Sequence, residues 1–90
     1  MPDAPDRPPV VIDVEAIYRA HGDTALQRHL PEYERAALEQ AGHAADVVLT
    51  GRGPVWLYLR LAHALHGVAR RLVYRSPEAG DVLVFDHRSR

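Results

Sequence analysis

The feature that most constrains this chain is an apolar run that ends on a glycine turn. Asp46-Val47-Val48-Leu49-Thr50 is followed by Gly51-Arg52-Gly53-Pro54 and then by the apolar segment Val55 to His66. A short β-branched run bounded by glycine reads as a buried strand. Pro54 suits the first helical position, where a missing N–H costs nothing. Val55 to His66 then reads as a helix, and it is apolar almost all round, so it is expected to be largely buried. Strand, tight turn and helix in this order form half of a crossover unit. That unit needs a second parallel strand to complete a sheet.

The flanking segments supply the partners. Val10-Val11-Ile12 reads as a first strand, and Asp13 as the cap of a short helix through Ala20, ended by Gly22. Asp23 or Thr24 is expected to cap a further helical turn to Leu30. Pro31 begins the next helix, whose stripe is Tyr33, Ala36, Ala37, Leu38 and Ala41, with Gly42 as its stop. Beyond Gly67, Arg70 to Arg75 and Asp81 to Asp86 read as two strands, joined into a hairpin by Ser76-Pro77-Glu78-Ala79-Gly80. The expected fold is a small α+β domain with about four strands, the last of them an antiparallel edge. With 90 residues the chain reads as a single domain over 1–90. Residues 1–9 are a flexible lead-in, 10–45 a strand with helices, and 46–87 the core around the glycine turn.

Composition excludes several classes of function. The chain has no cysteine, which rules out disulfides, thiolate chemistry and cysteine-based zinc sites and fits a cytoplasmic protein. Met1 to Pro9 lacks the apolar core of a signal peptide, and no run is long enough to span a membrane. The net charge of −1 argues against binding of duplex nucleic acid. The charge is nonetheless uneven. From Thr50 onward there are seven arginines (52, 60, 70, 71, 75, 88 and 90) against the three acids Glu78, Asp81 and Asp86. Such a half can carry a local anion-binding surface. All eleven basic residues are arginine, which biased base composition explains as well as function does.

Two groups of residues bear chemistry. In the first, the glycines of Thr50-Gly51-Arg52-Gly53 let a ligand approach the backbone. The first N–H groups of the following helix lack internal acceptors, and Arg52 adds a fork of donors suited to phosphate. The plain alternative is a tight turn with a surface arginine. Trp56, three residues on, either packs in the core or stacks on a base beside the turn. In the second group, His63 and His66 lie on one side of the helix, and Asp86 and His87 close the last strand. Imidazoles there can ligate a metal or move protons; the alternative is exposed or hydrogen-bonded histidines.

The segment Thr50-Gly51-Arg52-Gly53-Pro54-Val55-Trp56-Leu57 resembles the small CRISPR-associated ring nucleases that bind cyclic tetraadenylate. The resemblance continues through Leu61-Ala62-His63, His66, Val73-Tyr74, Gly80 and His87, and covers roughly Val47 to His87. It implies a ferredoxin-like α+β fold, a homodimer or higher homo-oligomer, and binding of a cyclic oligoadenylate second messenger of type III CRISPR defence. It also implies linearisation of that ligand with manganese, by subunits that stack with the ligand between them. Thr50, Gly51, Arg52 and Gly53 would hold the cyclic phosphates, with Trp56 beside them. His66 and His87 would be the active-site histidines. Two departures stand out. The family commonly has Asp after the Val-Tyr pair, whereas here Arg75-Ser76-Pro77 follows, and Asp81 or Asp86 would have to substitute. The family pattern also begins with strands, where this chain reads as helices between Asp13 and Ala41. A binding module without catalysis, or an assembly subunit, is the alternative.

Overall fold

The computed structural model describes residues 8–88 of the chain; most of the lead-in lies outside them. Its elements run β1 (Val10–Asp13), α1 (Val14–Arg19), a 3₁₀ turn (Gln27–His29), α2 (Leu30–Ala41), β2 (Asp46–Thr50), α3 (Val55–Leu65), β3 (Arg71–Ser76) and β4 (Gly80–Asp86). The four strands form one sheet in the order β1-β2-β3-β4. β1, β2 and β3 are parallel, and β4 is the antiparallel edge expected of the hairpin. The result is the small α+β sheet anticipated from the sequence, ferredoxin-like or related.

Local chemistry sets most of the boundaries. Asp13 caps α1, its carboxylate accepting from the backbone N–H of Glu15 at 2.9 Å and of Ala16 at 3.4 Å. Pro31 lies in the first turn of α2, where its missing donor is harmless. Two expectations need correction. Neither Asp23 nor Thr24 caps the turn before α2. The cap is Leu26, with no side-chain hydrogen bond, and its N–H is instead satisfied by the hydroxyl of the buried Tyr33 at 3.1 Å. Pro54 is the cap of α3 rather than its first residue, with ψ at 152°. A proline fixes φ but leaves ψ free to be extended.

The helices pack on one face of the sheet. Ile12, Val47, Leu49 and Leu72 point into a core shared with Val14 and Ile17 of α1, Tyr33, Ala37 and Ala41 of α2, and Leu57, Leu61 and Leu65 of α3. Parallel neighbours in sequential order, joined by crossovers of one hand, put all their connections on the same side. The opposite face carries Val11, Val48, Val73 and Leu83 in one register row.

The buried helix expected after the turn is α3, and its burial is confined to one side. Leu57, Leu61 and Leu65 are fully buried, but Val55 is 73% and Leu59 65% exposed. On β4, Val82, Leu83 and Val84 are exposed as well. Among the described residues no helix lies over the edge strand, and the flank of α3 that faces β4 is open. Among the described residues no helix is long and apolar enough to cross a membrane.

Candidate functional site

Where the three parallel strands end, the structure gathers the glycine turn and its supports. Asp13 and Thr50 are register partners at the carboxyl ends of β1 and β2. Leu49 pairs with Tyr74 of β3, and the Thr50 hydroxyl donates to the Arg75 carbonyl at 3.4 Å. Ligands of open α/β sheets characteristically bind in the crevice beyond this end of the strands. Gly51 has φ +100°, a conformation open to glycine and strained for other residues. A Cβ on Gly51 would overlap the Asp13 carboxylate, and one on Gly53 would come within 2.8 Å of Val14 Cγ1. The glycines are therefore set by close approach to the β1–α1 junction as well as by the turn itself.

An open groove of about 1050 Å³ begins at this turn and runs along α3 toward β4. Thr50, Gly51, Arg52 and Gly53 form one end, while Val55, Leu59 and Val84 contribute apolar walls. Tyr58 lies in the wall, its hydroxyl donating to the Gly51 carbonyl and its ring meeting Tyr74 edge-on at 5.2 Å. Burial, followed by the neighbouring Tyr74 and Asp13, pushes the Tyr58 hydroxyl up to about 12, so it stays a donor across the neutral range. Trp56 does not line the groove; it is half-buried and packs against the core.

The charge of this end comes from few groups. Arg60 pairs with Glu34, Arg70 with Asp46, Arg71 and Arg88 with Asp86, and Arg75 with Asp81. Among the described arginines from Thr50 onward, Arg52 alone has no carboxylate partner. The basic half inferred from composition thus reduces, at short range, to one free guanidinium. It stands beside the start of α3, where no side chain caps the helix. Free N–H groups, the positive end of the helix dipole and Arg52 converge on the same groove mouth.

The histidines meet at the other end of α3. His66 caps the helix and His87 follows β4; their rings lie 4.8 Å apart at 83°. Phe85 stacks on His87 at 4.8 Å and meets His66 edge-on at 4.9 Å. The His87 N–H donates to the Arg70 carbonyl at 2.8 Å, which fixes the chain where it leaves the sheet. Both histidines are exposed. His63 makes no ring contact with them among the described residues.

Neither carboxylate named as a substitute for the missing Asp is free. The Asp86 carboxylate accepts from Arg88 Nε and Nη2, both at 2.9 Å, and these bonds hold its pKa down at about 2. Asp81 accepts from Arg75 Nε at 2.9 Å and Nη2 at 3.3 Å, which likewise holds it low. Asp81 pairs with the residue after Tyr74, toward the glycine-turn end of the sheet. Among the described residues no three His, Asp or Glu side chains are grouped to hold a metal ion. The histidine pair supplies two nitrogens, and the adjacent carboxylate is committed to arginines. A manganese ion chelated within one chain does not fit this donor set.

Sequence reasoning found the turn and the histidine pair but missed two supports. Asp13 read as a helix cap only, and Tyr58, like Trp56, as a ring that either packs in the core or stacks near the turn. The signal for Asp13 was its place at the end of the first strand, matching Thr50 at the end of the second.

The family described as CRISPR-associated protein (Cas_csx3) matches residues 26–90. No curated protein and no solved structure matches the chain.

Proposed function

The chain belongs to the Cas_csx3 family of CRISPR-associated proteins, and from that premise we propose that it binds a cyclic oligoadenylate at the Thr50–Gly53 turn and linearises it at His66 and His87. In this reading the protein removes a second messenger and so switches off type III CRISPR antiviral signalling. The observation that carries the reading is the convergence at the groove mouth. Unpartnered Arg52, glycine backbone and the uncapped start of α3 offer donors to phosphates, and the apolar walls offer surface to purines.

The chain's own side chains supply the proton transfers of this reaction. One imidazole takes the proton of a ribose 2′-hydroxyl, whose oxygen attacks the adjacent phosphorus. The P–O5′ bond breaks, the second imidazole protonates the leaving oxygen, and the ring opens to a 2′,3′-cyclic phosphate. Two imidazoles at 4.8 Å suit such paired proton transfer. Holding the hydroxyl in line supplies much of the rate. The turn and the histidines are separated by α3, about 16 Å for 11 residues at ~1.5 Å each. A ring held at one turn is thus cut by the histidines of another copy, as in a homo-oligomer. The exposed Val11, Val82 and Leu83, which do not line the groove, provide apolar surface for association.

A second reading is a sensor or sponge that binds without cutting. It is favoured by one observation: Arg75 stands where the resemblance expects an acid, and Asp81 and Asp86 are both bound to arginines. Labelled cyclic tetraadenylate, incubated with the protein with and without manganese, separates the readings. A shifted complex with linear product supports the nuclease, and a shifted complex with intact ring supports the sensor. No complex at micromolar protein defeats both. Arg52→Ala is expected to weaken binding about tenfold, as loss of a charged phosphate contact does.

A further inference from the structure

We propose that Asp13 and Tyr58 are positioning residues that hold the Gly51–Gly53 turn in its ligand-ready shape, so that the β1–α1 unit, which lies outside the family match, is part of the binding site. The inference rests on the reading that this turn holds an anionic ligand.

The turn is exposed yet clasped from two sides. From α3, the Tyr58 hydroxyl donates to the Gly51 carbonyl, and the ring is itself fixed edge-on against Tyr74. From the β1–α1 junction, the Asp13 carboxylate lies against the Gly51 α-carbon, and Val14 and Tyr18 lie against Gly53. Asp13 is not free to swing away. Its Oδ1 accepts the N–H groups of Glu15 and Ala16, and its backbone is paired in register with Thr50. One carboxylate thus fixes the start of α1 and walls the glycine turn.

A turn that binds through backbone donors pays an ordering cost on binding unless it is rigid beforehand. Gly51 has the backbone freedom to lose that order. The two clasps remove it in the unliganded chain. Val14 to Tyr18 precede the matched residues 26–90, so this part of the site is a contribution of the chain's own N-terminal unit.

Three variants of the full chain test the proposal, with two readouts. One readout is the Kd for fluorescent cyclic tetraadenylate. The other is the ¹⁵N order parameter of the Gly51 and Gly53 amides in the free protein. Tyr58→Phe removes only the hydroxyl. Asp13→Ser keeps a helix cap but removes the wall, and Asp13→Asn keeps both. The expected result is a Kd raised about 3- to 10-fold in Tyr58→Phe and Asp13→Ser, the range of one lost hydrogen bond. Their amide order parameters fall from about 0.85 toward 0.6, while Asp13→Asn stays within about twofold of wild type in Kd. Unchanged Kd and unchanged order in both Tyr58→Phe and Asp13→Ser overturn the proposal, whatever happens to stability. If one variant alone is silent in both readouts, that residue is not a positioning residue. If the wild type does not bind the probe, the ligand reading fails, and the order parameters decide the positioning role alone.

Discussion

The contact between Gly53 and Val14 can be tested by a double-mutant cycle. Gly53 is not in the left-handed region, so alanine there meets no backbone strain. Removing a glycine's freedom from the unfolded chain would by itself stabilise by about 0.4–1 kcal/mol. Against this, the new methyl would stand 2.8 Å from Val14 Cγ1. Val14 is 0% exposed and packs within the core. Overpacking of this kind costs about 1–3 kcal/mol. The net expectation for Gly53→Ala is a loss of roughly 0.5–2 kcal/mol, read as a urea midpoint lower by about 0.5–2 M at a slope near 1 kcal/mol/M. Val14→Ala deletes two buried methyls and is expected to cost about 1.5–3 kcal/mol. The two changes together should cost less than their sum by about 1–2 kcal/mol, because the second removes the wall that the first collides with. Equilibrium urea unfolding of the wild type and the three variants measures this term. Additivity within about 0.5 kcal/mol would refute the contact, and with it the claim that the β1–α1 junction abuts the turn.

Three further outcomes follow from the same geometry. Tyr33→Phe leaves the Leu26 N–H without its partner beside a fully buried ring; it is expected to cost about 1–2 kcal/mol, visible as a lower Tm by scanning calorimetry. Asp86, with a folded pKa of about 2, and Asp81, also held low, bind protons more readily when the chain is unfolded. Their stabilisation is present above about pH 4 and is lost as the pH falls toward about 2; Asp86→Asn should flatten the acid limb of a urea-midpoint profile, and an unchanged limb contradicts the pairing. Tyr58 behaves in the opposite sense. Its folded value of about 12 exceeds the unfolded value near 10, so stability falls as the pH rises between them, and absorbance titration of Tyr58→Phe should lack a tyrosine step near pH 12 that the wild type shows.

Much of the fold was legible because its signals are local. β2 occupies Asp46–Thr50, the run predicted, since a β-branched core segment bounded by glycine has few other uses. The hairpin followed from two apolar runs around a proline-glycine turn. The misread elements depend on what lies elsewhere in the chain. Nothing between Gln27 and Leu30 announces that the donor of Leu26 is met by Tyr33, seven residues away. The composition of α3 promised burial on most sides, but burial requires a neighbour. Among the described residues the helices lie on one face and none covers β4, and Val55 and Leu59 are in solvent. An apolar helix surface in a chain of this size is thus a statement about a ligand or partner as much as about a core.

The site divides along the same line. The glycine turn and the two histidines were legible as residue types that suit such chemistry, each with a plain structural alternative, and the structure brings His66 and His87 together although 20 residues separate them in the chain. Their separation from the turn was not legible, because it is set by the length and direction of α3 rather than by any motif. Asp13 was read correctly as a cap and incompletely as a site residue for a related reason. A cap is a contact with the next three residues, whereas the contact with Gly51 depends on β1 lying beside β2 in a register that pairs Asp13 with Thr50. That register places a carboxylate against a turn proposed to bind phosphates. Its charge opposes an anion, but Oδ1 is already occupied by two N–H groups of α1. The helix start thereby offsets the acid, and Arg52, with no carboxylate of its own among the described residues, is left as the unbalanced charge at the groove mouth. Asp13→Asn is therefore expected to gain no more than about twofold in affinity for an anionic ligand, whereas an uncompensated carboxylate so close would yield a far larger gain on neutralisation.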